Sequence, residues 1–158
     1  MKFTIKRTVF LDMLRKIAPV IPSKCTIPVG TYVLVRAETF LRLQGFSFET
    51  SITTIDGATV AQGGSLCLPF KPLLDLVSSF NGEYIHLAAD LERSTAAIHC
   101  GDTKVNLKGL QAEEFPPFPQ TKPVDRDGVS DVMEKIARYV AFAASAEEAR
   151  PVLNAVRL

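Results

Sequence analysis

A strand-then-helix pattern that recurs along the chain constrains this sequence more than any other feature. In Lys2–Val20 (KFTIKRTVFLDMLRKIAPV), Phe3 and Ile5 alternate with polar residues, the period-2 mark of a half-buried strand. From Thr8 the period becomes helical. Phe10, Leu11, Leu14, Ile17 and Ala18 fall on one stripe, with Thr8, Asp12, Arg15 and Lys16 on the opposite one. Pro19 marks the stop. A shift of 63 positions lays this unit on Leu66, Leu68 and Leu73-Leu74-Asp75-Leu76-Val77, matching Phe10 to Leu14 in class at every step. A weaker third copy runs through Val124, Val129, Val132, Met133, Ile136, Ala137 and Val140. Such repetition predicts an internally duplicated domain.

At 158 residues the chain is one domain or slightly more, and with 47% hydrophobic residues it can bury a real core. The net charge of +1 argues against binding nucleic acid by bulk basicity, so any such surface depends on where the 18 Lys and Arg are placed. Cys25, Cys67 and Cys100 are odd in number and lack CxxC spacing, which points to reduced thiols and no zinc site. Asp12, Arg15 and Lys16 interrupt what would have to be a signal-peptide core, and no apolar run approaches the ~20 residues of a membrane span. The expectation is a soluble cytoplasmic protein with no membrane partner.

Ile21–Gly30 reads as loop, punctuated by Pro22, Pro28 and Gly30 and carrying Lys24. Strands are predicted at Tyr32–Ala37, Phe40–Phe46 and Glu49–Ile55, with Asp56-Gly57 and Gly63-Gly64 as turns. The second unit opens with a strand at Ser65–Leu68. Its helix begins near Pro69 and Pro72 and ends at Asn81-Gly82. Strands follow at Tyr84–Ala88, Ala96–Cys100 and Lys104–Leu107. Each unit is thus a strand, a helix and a three-strand meander. Gln111–Pro123, with four prolines, reads as a linker. A third unit is cut short after a helix at about Val129–Val140 and a last strand at Val152–Leu158, whose unpaired edge calls for a partner or for more chain.

Several stretches resemble the bacterial sliding clamp, the beta subunit of the replicative DNA polymerase III. They are Met1-Lys2-Phe3-Thr4-Ile5, Thr26-Ile27-Pro28, Tyr32–Glu38, Gln111-Ala112-Glu113-Glu114-Phe115-Pro116 and Ser145–Asn154. The likeness covers that family's first domain and the opening of its second. It implies an α+β DNA-clamp fold: two βαβββ units with helices on one face of antiparallel sheets, plus a partial third unit. The implied domains are 1–121 (repeats of about 1–63 and 64–121) and an incomplete 122–158. In the family, helices line a hole through which duplex DNA passes, held by a few cationic contacts to phosphates.

The resemblance assigns DNA contact to Lys24 and Lys71, where lysine in place of arginine keeps the charge and loses the bidentate fork. Arg15 and Lys16 are further candidates, although sharing a face with Asp12 suits a merely solvated surface as well. Lys135 and Arg138 lie among Asp131 and Glu134, and a salt-bridged face accounts for them equally. Glu147, Pro151 and Val152 are of the wrong type for the contacts made there by some family members. Of the family's pocket for short peptides of polymerases and clamp loaders, only Leu153 is represented, so those partners are expected only if the missing domains are supplied. The family's ring-closing edge corresponds to Lys104, Val105 and Leu107, where self-association is the expectation. Phe46-Ser47-Phe48-Glu49 departs from the family's usual Thr-Asp-Leu-Glu and marks either an apolar patch or extra core.

No enzyme constellation is visible. His86 and His99 lie in apolar strands as ordinary strand residues, Asp12 and Asp75 form no acid–base pair, and no phosphate loop or nucleophile motif occurs. The expected function is therefore that of a sliding clamp or a truncated homologue: a non-catalytic, cofactor-free processivity factor encircling double-stranded DNA. The alternative is a clamp-fold interaction or regulatory module that self-associates, or pairs with a full-length clamp, without encircling DNA.

Overall fold

The alternating segments form strands and the 3.6-period segments form helices, in the order the duplication predicts. The computed structural model describes residues 1–47, 50–117 and 129–145. The chain divides into two units, Met1–Phe118 and Pro119–Leu158. The first contains β1 (Lys2–Lys6), α1 (Arg7–Ile17), β2 (Tyr32–Ala37), β3 (Leu41–Phe46), β4 (Ser51–Asp56) and β5 (Thr59–Gln62). It continues with β6 (Gly64–Pro69), α2 (Phe70–Ser79), β7 (Tyr84–Asp90), β8 (Thr95–Cys100) and β9 (Thr103–Lys108).

The two repeats exchange their first strands. One antiparallel sheet has the order β5-β1-β7-β8-β9 and the other β4-β3-β2-β6. Hence β1 joins the meander of the second repeat, and β6 joins that of the first. The registers repeat with the sequence: Phe3 faces Leu87 and Ile5 faces Ile85, while their counterparts Leu66 and Leu68 face Val35 and Val33. Neither repeat can form its sheet alone. β5 is an addition that the sequence reading does not contain. Its four residues are too few to show a period, and they are strand because β1 offers an edge to pair with, through Phe3–Val60 and Thr4–Thr59.

Both helices follow directly from a strand, and neither has a side-chain N-cap. The first amide of α1 is satisfied from elsewhere: Arg7 N–H donates to the Glu83 carbonyl at 2.8 Å. In α2, Pro72 falls in the first turn, where a missing N–H costs nothing. Phe10, Met13, Leu14 and Ile17 of α1 and Phe70, Leu73 and Val77 of α2 are buried. They share one core with Phe3, Ile5, Val33, Val35, Leu43, Leu66, Leu68, Ile85, Leu87 and Ile98 from the two sheets. Each such side chain contributes about 1.5–3 kcal/mol of transfer free energy. The helices pack against each other on this shared core and leave their polar faces to solvent.

A smaller cluster covers the other face of the four-stranded sheet: Val29, Leu34, Cys67 and Phe115, flanked by Tyr32, Phe46, Leu110 and Ala112. It corrects the reading of Gln111–Pro123 as linker over Gln111–Pro117; the rest of that segment lies outside the described residues. Leu110 and Cys67 exchange two backbone hydrogen bonds of 3.0 Å, covering the β6 edge. Gln111 N–H then donates to Glu114 Oε1 at 3.2 Å across a 3₁₀ turn, Ala112–Glu114. Phe115 is buried with its ring edge-on to Phe46, 5.0 Å between centroids. The apolar residues override the proline-rich composition because they complete a core. Phe46 is thus core, whereas Phe48 lies outside the described residues.

In the second unit α3 (Val129–Tyr139) is followed by a 3₁₀ turn, Ala141–Ala143. Arg138 pairs with Glu134 at 3.3 Å, one turn away. The strands expected around Val124 and over Val152–Leu158 lie outside the described residues, as does Leu153.

Candidate functional site

The polar faces of α1 and α2 carry the sequence-predicted cations. Arg15 and Lys16 occupy the last turn of α1, Lys71 the first turn of α2, and Lys24 the loop after α1. All four are exposed. The structure therefore brings three of them to one layer of paired helices and puts Lys24 on the connection leaving it. Their position follows from periodicity. With Phe10, Leu14 and Ile17 turned into the core, positions 12, 15 and 16 must face away.

The four are electrostatically unequal. Lys16 Nζ lies 2.7 Å from Asp12 Oδ2 one turn earlier, and this hydrogen bond and charge hold its ammonium above the usual lysine range. Arg15, Lys24 and Lys71 form no ion pair among the described residues. Arg15 and Lys16 also sit where cations complement the negative end of the helix dipole. The layer and the connection leaving it thus offer three uncompensated cations and one compensated one, all on long, exposed side chains. Such a surface can attract a polyanion through its phosphates.

One positioning residue escapes the sequence reading. Gly45, in β3, faces the end of α1: a β-carbon there would clash with Ile17 Cγ2 and lie 3.0 Å from Ile21 Cγ1 and Cδ1. The last turn of α1, bearing Arg15 and Lys16, is seated on bare backbone. A glycine inside a strand is the one available signal for such close approach.

The residues expected at an oligomer edge are on β9, the last strand of the five-stranded sheet. Val105 and Leu107 are half-buried, facing the same side as Ile98 and Ala96, their partners on β8. Lys104 and Lys108 are exposed on the other side, a placement that discourages indiscriminate edge pairing. The first-strand end of each sheet is covered, β1 by β5 and β6 by Leu110, so each meander ends on its own last strand, β9 in one sheet and β4 in the other.

Comparison with known proteins gives a consistent result. The model of the DNA polymerase III beta subunit N-terminal domain matches residues 1–119. A beta sliding clamp of Staphylococcus aureus is 31% identical over 169 aligned positions, which cover 99% of this chain and 44% of the relative. That of Staphylococcus epidermidis is 30% identical with the same coverage. Among solved structures, a Pseudomonas aeruginosa sliding clamp, DNA polymerase III subunit beta, superposes with a TM-score of 0.82 at 26% identity, over 98% of this chain and 42% of that one. The Bacillus subtilis sliding clamp, at 23% identity, has a TM-score of 0.84 over 96% of this chain and 42% of its own, and shows the fold alone. The fold is the α+β clamp fold. The chain spans less than half the length of the curated relatives it matches.

Proposed function

The chain belongs to the DNA polymerase III beta subunit family by its N-terminal domain, and on that footing we propose that it acts in DNA replication as a sliding clamp or as part of one. In this reading it is a non-catalytic processivity factor: α1 and α2 face double-stranded DNA, and Arg15, Lys24, Lys71 and, less strongly, Lys16 touch its phosphates. The observation that carries the reading is the pair of helices with apolar stripes in one core and cations on the outward face. A ring that slides needs weak, non-specific phosphate contacts on rigid elements, and lysines without bidentate geometry suit that need.

Encirclement requires more clamp units than the two repeats described here, through further chain or further copies. The open β9 edge, with Lys104, Val105 and Leu107, is where a second chain would add its strand. It also supports the second reading, a clamp-fold module that self-associates or pairs with a longer clamp without enclosing DNA. Partnership with polymerase and clamp loader belongs to the first reading and needs the pocket of which Leu153 is a part. Lysine-to-glutamate replacement of both Lys24 and Lys71 tests the DNA-facing surface. Salt-sensitive binding to duplex DNA should be lost, and the slope of log affinity against log salt should fall by about 1 for each phosphate contact removed. Equal binding by the variant rejects the assignment. Retention on circular DNA that is lost on linearisation, with solution mass from light scattering, separates encirclement from simple self-association.

A further inference from the structure

The outward face of the five-stranded sheet lies on the opposite side from the helices, and the function proposed above draws on it only at its β9 edge, through Lys104. On it β7 and β8 place His86 directly opposite His99. Their neighbours Ile85, Leu87, Ile98 and Cys100 are buried, so strand alternation puts both imidazoles outside, His86 exposed and His99 half-buried. We propose that His86 and His99 are the two protein ligands of a binding site for a borderline divalent transition ion, of the Zn2+, Ni2+ or Cu2+ class.

Directly opposed side chains on an antiparallel pair have β-carbons about 4.5–5.5 Å apart. An ion bonded to two imidazole nitrogens at about 2.0–2.1 Å with tetrahedral angles needs them only ~3.3 Å from each other. Two rings leaning together over the sheet span that without moving the backbone. The neighbouring strand supplies orientation. Thr4 of β1 is the cross-strand partner of His86, and its Oγ1 lies 2.9 Å from His86 Nδ1. The tautomer in which Nδ1–H donates to the hydroxyl leaves the lone pair on Nε2, the form in which a histidine binds a metal.

The row across the sheet is Thr59, Thr4, His86, His99 and Lys104, with no carboxylate in it. Among the described residues no three His, Cys, Asp or Glu side chains come together. Water therefore completes the coordination, and the ion is exchangeable rather than structural. Imidazole ligands without carboxylates disfavour Mg2+ and Ca2+, which prefer oxygen. They favour Cu2+ over both Ni2+ and Zn2+. Lys104, opposite His99 on the edge strand, opposes the bound charge. It is exposed and forms no ion pair among the described residues, so its ammonium can swing away.

The experiment titrates the full chain with Zn2+, Ni2+ and Cu2+ by calorimetry, with the histidine Cε1–H resonances followed by NMR during the Zn2+ titration. It uses a Cys25→Ser background, because the Cys25 thiol is only half-buried and would compete. One ion should bind per chain, tightest for Cu2+, with both imidazoles shifting together and no site for Mg2+. His86→Ala and His99→Ala should each weaken binding at least ~10-fold, as should Thr4→Val by releasing the ring, while Lys104→Gln should tighten it. The histidine positions lie on the sheet surface, and an unchanged melting temperature without metal identifies each variant as folded. Affinity unaltered by the double histidine replacement, or no saturable site in the parent, overturns the proposal.

Discussion

Replacing Gly45 by alanine reverses sign according to whether α1 is seated as described. In an extended strand with room for a methyl group, Gly→Ala stabilises by about 0.4–1 kcal/mol by restricting the unfolded chain. Here the new β-carbon would clash with Ile17 Cγ2, the branch methyl of a fully buried side chain, which cannot swing aside without an unfavourable rotamer. Overpacking of this kind costs about 1–3 kcal/mol, more than the entropic gain. Gly45→Ala should therefore be a net destabiliser, lowering the melting temperature by roughly 4 °C for each kcal/mol. Ile17→Ala alone should cost about 2–5 kcal/mol through the cavity it leaves. In the double variant the alanine methyl at 45 enters that cavity, so the combined loss should be smaller than the sum of the two by about 1 kcal/mol or more. Urea unfolding followed by circular dichroism measures all four corners of the cycle. A neutral or stabilising Gly45→Ala, or strictly additive losses, would show that the end of α1 does not rest on β3. The positions of Arg15 and Lys16 would then need another explanation.

Three other perturbations bear on the same structure. Phe115→Ala should cost about 3 kcal/mol, the low end for a buried phenylalanine, whereas a linker side chain would cost under ~0.5 kcal/mol; denaturant midpoints decide between them. Burial, with Glu114 and Glu113 adding to it, pushes the Cys67 thiol up from 9.0 to about 12. Above pH 9 the unfolded chain sheds this proton while the folded chain holds it, so stability should fall as pH rises toward 12, by at most ~1.4 kcal/mol per pH unit from this group. Cys67→Ala should remove that part of the alkaline decline, and parallel pH–stability curves for the two proteins would refute it. Asp12→Asn frees Lys16 from its ion pair and removes a negative charge from the outward face. It should strengthen DNA retention at low salt, measured by fluorescence anisotropy, and an unchanged affinity would place that face away from the duplex.

Local patterning carried most of the elements, because each repeat separates apolar from polar residues cleanly. The stripes through Phe10, Leu14 and Ile17 and through Leu73 and Val77 allow one helix orientation, and the cations opposite them are exposed by elimination. The elements that escaped are those whose state depends on a distant partner. Thr59–Gln62 is strand because β1 presents an edge. Gln111–Phe115 is ordered because Cys67 offers a backbone pair and Phe46 a ring, neither of which composition near Pro116 can report. The histidine row was invisible for the same reason: residues 4, 86, 99 and 104 are brought together only by register.

The order of residues thus determined on its own that this chain is a duplicated α+β protein whose two helices each bury one stripe and show a charged face to water. Periodicity is a property of neighbours three or four positions apart, and a linear chain contains it in full. Which strand lies beside which was decided in three dimensions, where β1 and β6 trade places between the repeats. A sheet's hydrogen bonds are the same whichever chain segment supplies the next strand. The exchange is set by the collective burial of Phe3, Ile5, Leu66 and Leu68 in one core, which no local stretch encodes.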